Sequence, residues 1–251
     1  MTDTKNTLLT HAVTILDCFS FDQPELGVRE AARITGLTTS TTGRLMTSLK
    51  EMGLLQQNPN TRAYRLGTRV LEWAGVVSST LDIRTKALPY MNDLHRKTHE
   101  TISLYIPEGS DRLCVERIES SYHVRIVSWV GRRLPLHAGS AGKAILAFMP
   151  ADQREALLNS MELIPCTDKT IVDPHDLRSA IEEVRRLGYA VSHGEWVLEA
   201  SGVAAAILNS HAEVVAALCI SGPSQRFGDD RLPLFIEEIT LAAGRVSKEI
   251  G

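Results

Sequence analysis

Hydrophobic residues recur at helical spacing through the first fifth of the chain. The stretch from about Leu8 to Phe19 predicts a first amphipathic helix, and residues 28–34 predict a second of about two turns, ending before Gly36. Thr38 offers an N-cap oxygen for a third helix that ends at Gly53. Helix, glycine turn and helix in this order are typical of a helix-turn-helix. The residues expected to face its core are Ala12, Ile15, Leu16, Phe19, Val28, Ala31, Ala32, Ile34, Leu45, Met46, Leu49 and Met52.

A short hairpin and a further helix are expected next. Leu54 to Gln57 and Arg62 to Leu66 have the composition of two strands, and the Asn-Pro-Asn-Thr sequence between them predicts a turn. Over residues 67–81 an apolar stripe runs along a predicted helix through Val70, Leu71, Ala74 and Val77. A stripe of this size is too apolar for an idle linker, so we expect it to pack against another surface.

Strand-like and helical patterns are mixed in the rest of the chain, which indicates an α+β domain with an antiparallel sheet. Asp173, Pro174 and Gly188 mark the start and the end of one of its helices. Strands are expected at 101–107, 112–118, 124–130, 189–193, 203–208 and 214–221. Helices are expected at 83–98, 140–148, 152–161, 174–187 and 231–250.

Length and composition are those of an ordinary globular protein of two domains. The chain has 251 residues, of which 43% are hydrophobic and 23% charged. It contains neither an apolar run of about 20 residues nor a signal peptide, so we expect neither a membrane span nor secretion. A reducing, cytoplasmic location is expected because no CxxC pair occurs among the four cysteines, Cys18, Cys114, Cys166 and Cys219.

Charge is distributed unevenly along the chain. The whole chain has a net charge of −3, which by itself argues against a nucleic-acid partner. Between Arg29 and Arg69, however, seven basic residues face two acidic ones, a net charge of +5 that leaves −8 for the rest. The acidic average therefore conceals a basic segment that coincides with the predicted helix-turn-helix and hairpin.

Two separated motifs resemble the IclR family of bacterial transcription regulators, and the resemblance extends over nearly the whole chain. The first is Gly-Leu-Thr-Thr-Ser-Thr-Thr-Gly-Arg-Leu at 36–45, followed by Tyr-Arg-Leu-Gly at 64–67. The second is Leu-Pro-Leu-His-Ala-Gly-Ser-Ala-Gly-Lys-Ala at 134–144, with Gly-Tyr-Ala-Val at 188–191 and Ile-Ser-Gly-Pro at 220–223. Their presence in this order is far more specific than a helix-turn-helix pattern alone.

The resemblance implies an architecture and a function. We expect a winged helix-turn-helix at residues 1–68, a linker helix at 69–81 and a GAF-like effector-binding domain at 82–251. The implied function is that of a non-enzymatic repressor, a homodimer or dimer of dimers on near-palindromic double-stranded DNA. A small-molecule effector, an organic or aromatic acid or related metabolite of a catabolic pathway, would control its affinity. No cofactor, metal or catalytic residue is expected.

The chemistry of the residues supports DNA binding independently. Hydroxyl groups on the early turns of the third helix can contact phosphates or bases, and a guanidinium there suits a guanine or a phosphate. Arginines of the hairpin can hold backbone phosphates. The residues predicted to contact DNA are Arg29, Thr39, Ser40, Thr41, Arg44 and Arg62, with Arg65 and Arg69 nearby.

The segment Gly139 to Lys143 begins a predicted helix with small residues, whose free amides favour an anion such as an effector carboxylate. It lacks the spacing of a nucleotide-binding P-loop. By the resemblance, the effector contacts are His123, Leu134, Ser140, Ala141, Ser192, Gly202, Cys219 and Ser221, with Ala200 as a further wall. Trp129 and Trp196 are additional candidates for this pocket.

Two alternatives to a regulator remain at this stage. An enzyme could use His193 and Glu195 as acid–base groups, or His95 and His99 as metal ligands, although neither pair has the further residues of a known catalytic motif. A sensor that acts only through protein contacts would have lost salt-dependent DNA binding. The residues do not define the effector, the operator, the direction of regulation or the choice between dimer and tetramer.

Overall fold

The computed structural model describes residues 7–126 and 128–250, which form an α+β protein of two compact units, Met1–Thr80 and Leu81–Gly251. The α+β class, the helix-turn-helix and the antiparallel sheet predicted from the sequence are confirmed. The exact domain limits at 68/69 and 81/82 stay a prediction. Within the described ranges, no helix is both long and apolar enough to cross a membrane.

The N-terminal unit is a winged helix-turn-helix. Its elements are α1 (Thr7–Leu16), α2 (Val28–Thr35), α3 (Thr39–Glu51), β1 (Leu55–Gln57), β2 (Tyr64–Leu66) and α4 (Arg69–Thr80). Gly36 ends α2 with a φ of 70°, a left-handed conformation that glycine adopts without a Cβ clash. The Thr38 hydroxyl accepts the N–H of Thr41 at 3.2 Å and thereby caps α3. The turn and the cap lie where the sequence predicts them.

A small apolar core holds this unit together. Ile15, Leu26 and Met46 are fully buried, and the backbone of Leu26 pairs with Tyr64 at 2.8 and 2.9 Å, which adds a strand-like residue to the wing. Two residues predicted to face the core, Ile34 and Met52, are instead 46% and 56% exposed. Both lie at the C-terminal ends of their helices, where the chain leaves the core.

One further prediction for this unit needs correction. Helix α1 ends at Leu16, before Phe19, although the Phe19 side chain is still buried. In the stripe predicted on α4, Val70 packs on the core of the unit, whereas Leu71 is 70% and Val77 57% exposed. That the exposed part of the stripe packs against another surface stays a prediction.

The C-terminal unit is built around a six-stranded antiparallel sheet of order β5-β4-β3-β8-β7-β6. Its strands are β3 (Thr101–Glu108), β4 (Asp111–Ile118), β5 (Arg133–Pro135), β6 (Ala190–His193), β7 (Ala200–Leu208) and β8 (Val214–Pro223). Its helices are α5 (Asp82–Thr98), α6 (Ser140–Phe148), α7 (Ala151–Ser160), α8 (Pro174–Leu187) and α9 (Leu232–Ile250).

Helices cover both faces of this sheet. Because successive strand residues point to opposite faces, Ile102 and Leu104 of β3 pack with α5 and α9, and Tyr105 packs with α6 and α8. Asp173 caps α8 through the N–H groups of the next helical turn, and Gly188 ends it at a φ of 82°, as predicted. The second layer, with α6, is the one that carries the pocket described below.

The strand predicted at 124–130 is wrong. Residues 124–126 and 128–130 form no strand, Val127 lies outside the described residues, and the neighbour of β4 is β5, with Arg112 opposite Leu134. Arginine side chains, rather than a neighbouring strand, satisfy carbonyl groups of this loop. Arg226 donates to the Val124 oxygen at 3.1 Å and Arg117 to the Ile126 oxygen at 2.6 Å.

Candidate functional site

The outer face of α3 is open and hydrophilic. Ser40, Arg44 and Thr47 are exposed and lie at i, i+4 and i+7, so they form one stripe along the helix. The Arg44 guanidinium has neither a hydrogen bond nor an ion pair to the rest of the described chain, and Thr39 is exposed beside the stripe. Thr47, which the sequence analysis did not single out, extends the predicted surface by a turn.

Thr41 differs from its neighbours. It is partly buried, and its hydroxyl accepts a hydrogen bond of 2.9 Å from the Thr38 hydroxyl, while its N–H donates to the same group. The side chain is therefore part of the cap of α3. Its hydroxyl hydrogen remains as the group that it can offer to DNA.

Only one arginine of the wing presents an uncommitted guanidinium to solvent. Arg62 is exposed at the hairpin turn with a φ of 61°, and its backbone, not its side chain, bonds to Asn58 at 2.9 Å. By contrast, Arg65 donates to Gln56 at 3.0 and 3.2 Å, and Arg69 of α4 donates to the Met52 carbonyl just after α3 at 2.7 Å. Arg29 is exposed on α2.

A pocket of about 80 Å³ opens in the C-terminal unit between the start of α6 and the sheet. Seven of the nine predicted effector contacts line it: Leu134, Ser140, Ala141, Ser192, Gly202, Cys219 and Ser221. Trp196 and Ala200 line it as well. Gly202 lets α6 approach the sheet, because a Cβ there would lie 2.9 Å from the Ser140 hydroxyl oxygen.

Three arginines that the sequence analysis missed also line this pocket: Arg112, Arg117 and Arg132. Arg112 is only 4% exposed; it donates to the Pro135 carbonyl and packs on the Tyr105 ring at 5.3 Å. Burial lowers its pKa, although a guanidinium still carries its charge at neutral pH. Arg132 packs over the rings of Trp129 at 4.4 Å and Trp196 at 5.7 Å.

A β-bulge decides that Arg112 and Arg117 share a face. They lie five positions apart on β4, and strict alternation would place them on opposite faces of the sheet. The pairing with β3 shifts between Leu104 and Tyr105, so β4 contains one extra residue, Val115. Val115 packs on the α5 side, and both arginines then reach the pocket on the α6 side.

Hydrogen bonds hold both arginines in place and leave the Nε–H of each without a partner among the described residues. Arg117 donates to the Ser103 hydroxyl at 3.4 Å and to the Ile126 carbonyl at 2.6 Å. The Nε atoms of Arg112 and Arg117 and the Ser128 hydroxyl are buried without a hydrogen-bond partner among the described residues, and all three residues line the pocket. Buried donors are nearly always paired, so these three groups are unusual among the polar atoms of the described residues.

At the start of α6, one of the amides predicted to bind an anion is already bound by a carboxylate of the chain itself. Glu195, 8% exposed, accepts the Gly139 N–H at 2.9 Å and forms an ion pair with the buried Lys143. Lys143 also donates to the Val191 carbonyl at 3.1 Å. Glu195 thus already binds the Gly139 amide, and binding of an effector acid to the remaining amides of this turn stays a prediction.

The histidine pairs considered for enzyme chemistry have structural partners. Both ring nitrogens of His95 are engaged at 3.0 Å, one with the Glu100 carbonyl and one with the Ser121 hydroxyl. His99 ends α5 in a left-handed conformation, with a φ of 59°. His193 bonds to the Ser201 hydroxyl at 2.9 Å, and Glu195 is engaged by Lys143. These contacts explain each residue without catalysis.

Comparison with known families decides the identity of this architecture. Residues 8–59 match the model of the IclR helix-turn-helix domain, and residues 75–248 match that of the bacterial transcriptional regulator IclR C-terminal domain. The chain belongs to the IclR family. It is accordingly a DNA-binding transcriptional regulator with an effector-binding C-terminal domain, as the sequence motifs predicted.

Curated and solved relatives match over nearly their whole length. The regulator KipR of Bacillus subtilis is 35% identical over 247 residues, which are 98% of each chain. The transcriptional repressor IclR of Escherichia coli is 28% identical over 94% of this chain and 89% of its own. An IclR homologue from Microbacterium hydrocarbonoxydans, solved with 4-hydroxybenzoate, is 28% identical at a TM-score of 0.84, covering 97% and 99% of the two chains.

Two predicted effector contacts of this IclR-family regulator do not line the pocket. His123 is exposed on the loop after β4, and Trp129 lies behind Arg132 rather than at the cavity. An available signal for the missed arginines was the position of Arg112, two residues from Cys114 on a strand, because a charge on a core-facing position needs a reason. The roles of all these residues in binding stay predictions.

Proposed function

We propose that this IclR-family regulator represses transcription by binding a near-palindromic operator as a homodimer, and that a small organic acid changes its operator affinity. It acts by binding, not by catalysis. Since bacterial chromosomal DNA lies in the cytoplasm, we expect the regulator to act there. The observation that carries the DNA-binding assignment is the open guanidinium of Arg44 on the outer face of α3.

The proposed DNA contacts divide into two classes. Helix α3 enters the major groove, where Thr39, Ser40 and Arg44 meet base edges and Thr41 contributes a hydroxyl hydrogen. Arg62 of the wing and Arg29 of α2 contact phosphates and set the register of the helix in the groove. The first class determines sequence preference, and the second contributes affinity that falls as salt rises.

The proposed dimer rests on exposed apolar surface within the N-terminal unit. Leu8, Leu9 and Val13 of α1 and Trp73 of α4 are half exposed or more, and they line a groove of about 670 Å³. Monomeric proteins rarely leave such contiguous apolar surface in water. We assign the apolar α1 and α4 side chains of the groove and the Leu71 side of α4 to a second copy of the chain, because a two-fold dimer matches a near-palindromic operator. Thr41 and Arg44, which also line the groove, are left for DNA.

The proposed effector site is the pocket beside α6. Two guanidinium groups line it, that of the buried Arg112 and that of the partly buried Arg117, and they favour a carboxylate there, since Arg binds carboxylates through charge-assisted hydrogen bonds. To control operator binding, the acid must bind one arrangement of the dimer better than the other. A coupling free energy of about 1–3 kcal/mol is typical of such regulation.

The DNA-binding assignment is tested with Arg44→Ala. Operator fragments are selected from genomic DNA, and affinity is measured by fluorescence anisotropy across a salt series. Loss of a bidentate base contact worth about 1–3 kcal/mol lowers operator affinity by roughly 5- to 150-fold and leaves acid binding unchanged. Arg96→Ala, an exposed arginine of α5, is the control. Unchanged operator affinity of the Arg44 variant at every salt concentration would refute the assignment.

The effector assignment is tested with Ser221→Leu. The leucine side chain fills part of the pocket, so acids that raise the melting temperature of the native protein are expected to lose that effect. Operator binding in the absence of acid is retained. If the variant responds to the acids like the native protein, the effector binds elsewhere.

A further inference from the structure

The pocket beside α6 carries more positive charge than one carboxylate needs. Arg112, Arg117 and Arg132 line it together with a single acidic residue, Glu195. Glu195 is already paired with Lys143 and with the Gly139 N–H, so its charge is largely used. An effector with one negative charge would leave a buried guanidinium without a counter-charge, which is unfavourable in a protein interior.

The two arginines of β4 approach the pocket from different positions along the strand. Because of the bulge they pair with β3 residues four apart, Pro107 and Ser103, which corresponds to roughly 13 Å along an extended strand. Arg112 is held at the β5 end by the Pro135 carbonyl, and Arg117 at the other end by Ser103 and Ile126. These contacts anchor each guanidinium separately, so the two present their positive charges to the pocket from different supports.

Each end retains an unused donor. The buried Nε of Arg112 marks one end, and the buried Nε of Arg117 marks the other, with the Ser128 hydroxyl also unpaired among the described residues. Both residues line the pocket, so their two guanidinium groups are two separate points of recognition, not one.

The space between them is small. The cavity measures about 80 Å³, far below the roughly 300–1,000 Å³ of pockets that hold drug-sized ligands. Small side chains bound it on the sheet and helix sides, among them Ser140, Gly202 and Cys219. A compact molecule with an acidic group at each end matches this combination of size and charge.

We propose that the effector of this regulator is a short-chain dicarboxylate, with one carboxylate bound at Arg112 and the other at Arg117. This inference rests on the proposed function and specifies its ligand class. The second carboxylate explains why the pocket contains two anchored arginines with spare donors. Inorganic phosphate and monocarboxylates each satisfy one of the two ends and therefore bind more weakly.

Isothermal titration calorimetry on the full-length protein tests the proposal. The probes are malonate and succinate, the monomethyl ester of succinate, 4-hydroxybenzoate, and inorganic phosphate. We expect at least one dicarboxylate to bind ten-fold or more tightly than the ester, 4-hydroxybenzoate and phosphate. The monomethyl ester is the informative comparison because it preserves the length of succinate and removes one charge.

Two single variants then assign the ends. Arg112→Gln and Arg117→Gln are each expected to lower dicarboxylate affinity ten-fold or more and to abolish the preference over the ester. Arg133→Gln, an exposed arginine of β5 paired with Glu108, is the matched control and is expected to leave both affinities unchanged. If the Arg112 variant does not fold because that side chain is buried, the Arg117 variant still tests the preference for the dicarboxylate over the ester. The Arg117 side chain is only partly buried.

The outcomes separate this inference from the proposed function. The ester or 4-hydroxybenzoate could bind as tightly as the dicarboxylates, with Ser221→Leu abolishing that binding. This result would support the pocket as the effector site and refute the proposal that the effector is a dicarboxylate. Phosphate binding more tightly than any dicarboxylate also overturns the two-ended ligand. If none of the acids binds and none changes operator affinity, both the proposed control by an acid and the dicarboxylate inference are refuted.

Discussion

The ion pair between Lys143 and Glu195 offers the sharpest test of how the pocket is built. Substitution Glu195→Gln removes the negative charge and preserves the size of the side chain. Lys143 is 5% and Glu195 8% exposed, so the remaining ammonium group would be buried with only the Val191 carbonyl as a partner. Removing one partner of a buried pair typically costs about 3–5 kcal/mol.

The structure places the expected cost at the lower end of that range. A glutamine oxygen can still accept the Gly139 N–H, and Val191 still accepts from Lys143, so two hydrogen bonds survive. We therefore expect Glu195→Gln to lower the free energy of unfolding of the C-terminal unit by about 3 kcal/mol. The same change at an exposed pair, Glu108→Gln opposite Arg133, is expected to cost no more than about 1 kcal/mol.

Urea unfolding measures both effects. Fluorescence of Trp129 and Trp196 reports on the C-terminal unit in a Trp73→Phe background, since Trp73 is the tryptophan of the other unit. The double variant Lys143→Met, Glu195→Gln is expected to cost less than the sum of the two single changes, because neither leaves the other unpaired.

The same variant has an opposite effect on ligand binding. Glu195 is among the negative groups close to Arg112, so its neutralisation makes the pocket more positive. Anionic effectors should bind the less stable protein more tightly. A Glu195→Gln variant that is as stable as Glu108→Gln, or a strictly additive double variant, would refute the account of the pair.

Further outcomes follow from close packing and helix capping. A Cβ at position 142 would overlap the Leu136 carbonyl oxygen, so Gly142→Ala is expected to cost about 1–3 kcal/mol in urea unfolding. At position 244 in α9 no atom lies within 4 Å of a new Cβ, so Gly244→Ala should stabilise the protein by about 0.5–1 kcal/mol. Equal effects of the two substitutions on stability would contradict the packing argument. Thr38→Ala removes the cap of α3, which should lower the stability of the N-terminal unit by about 1 kcal/mol and weaken operator binding. Thr38→Ser retains the cap oxygen, so it should change neither stability nor operator binding.

Local signals made the helix ends predictable. Gly36, Thr38, Asp173 and Gly188 act on backbone groups within a few residues of themselves, so their sequence context contains the whole interaction. The open face of α3 was predictable for the same reason, since helical spacing alone separates Leu45 and Leu49 from Arg44. The predicted strand at 124–130 failed because a strand also requires a neighbour, and apolar alternation does not supply one.

The pocket depended on contacts between distant parts of the chain. Motif spacing placed small residues such as Ser140 and Gly202 near the effector, but it could not show that Glu195, 56 residues beyond Gly139, occupies the start of α6. The bulge at Val115 is equally invisible in the sequence, because it is defined only by pairing with β3.

The sequence by itself thus determined the two-domain organisation, the helix-turn-helix with its basic surface, and the family. Those features depend on periodicity, capping and composition, which are properties of neighbouring residues. Only the tertiary structure decided where the positive charge of the pocket is available. The bulge in β4 reverses the alternation of that strand and brings Arg117 to the side of Arg112, and an internal carboxylate neutralises Lys143. The two arginines therefore remain as the positive groups that we propose for acid recognition.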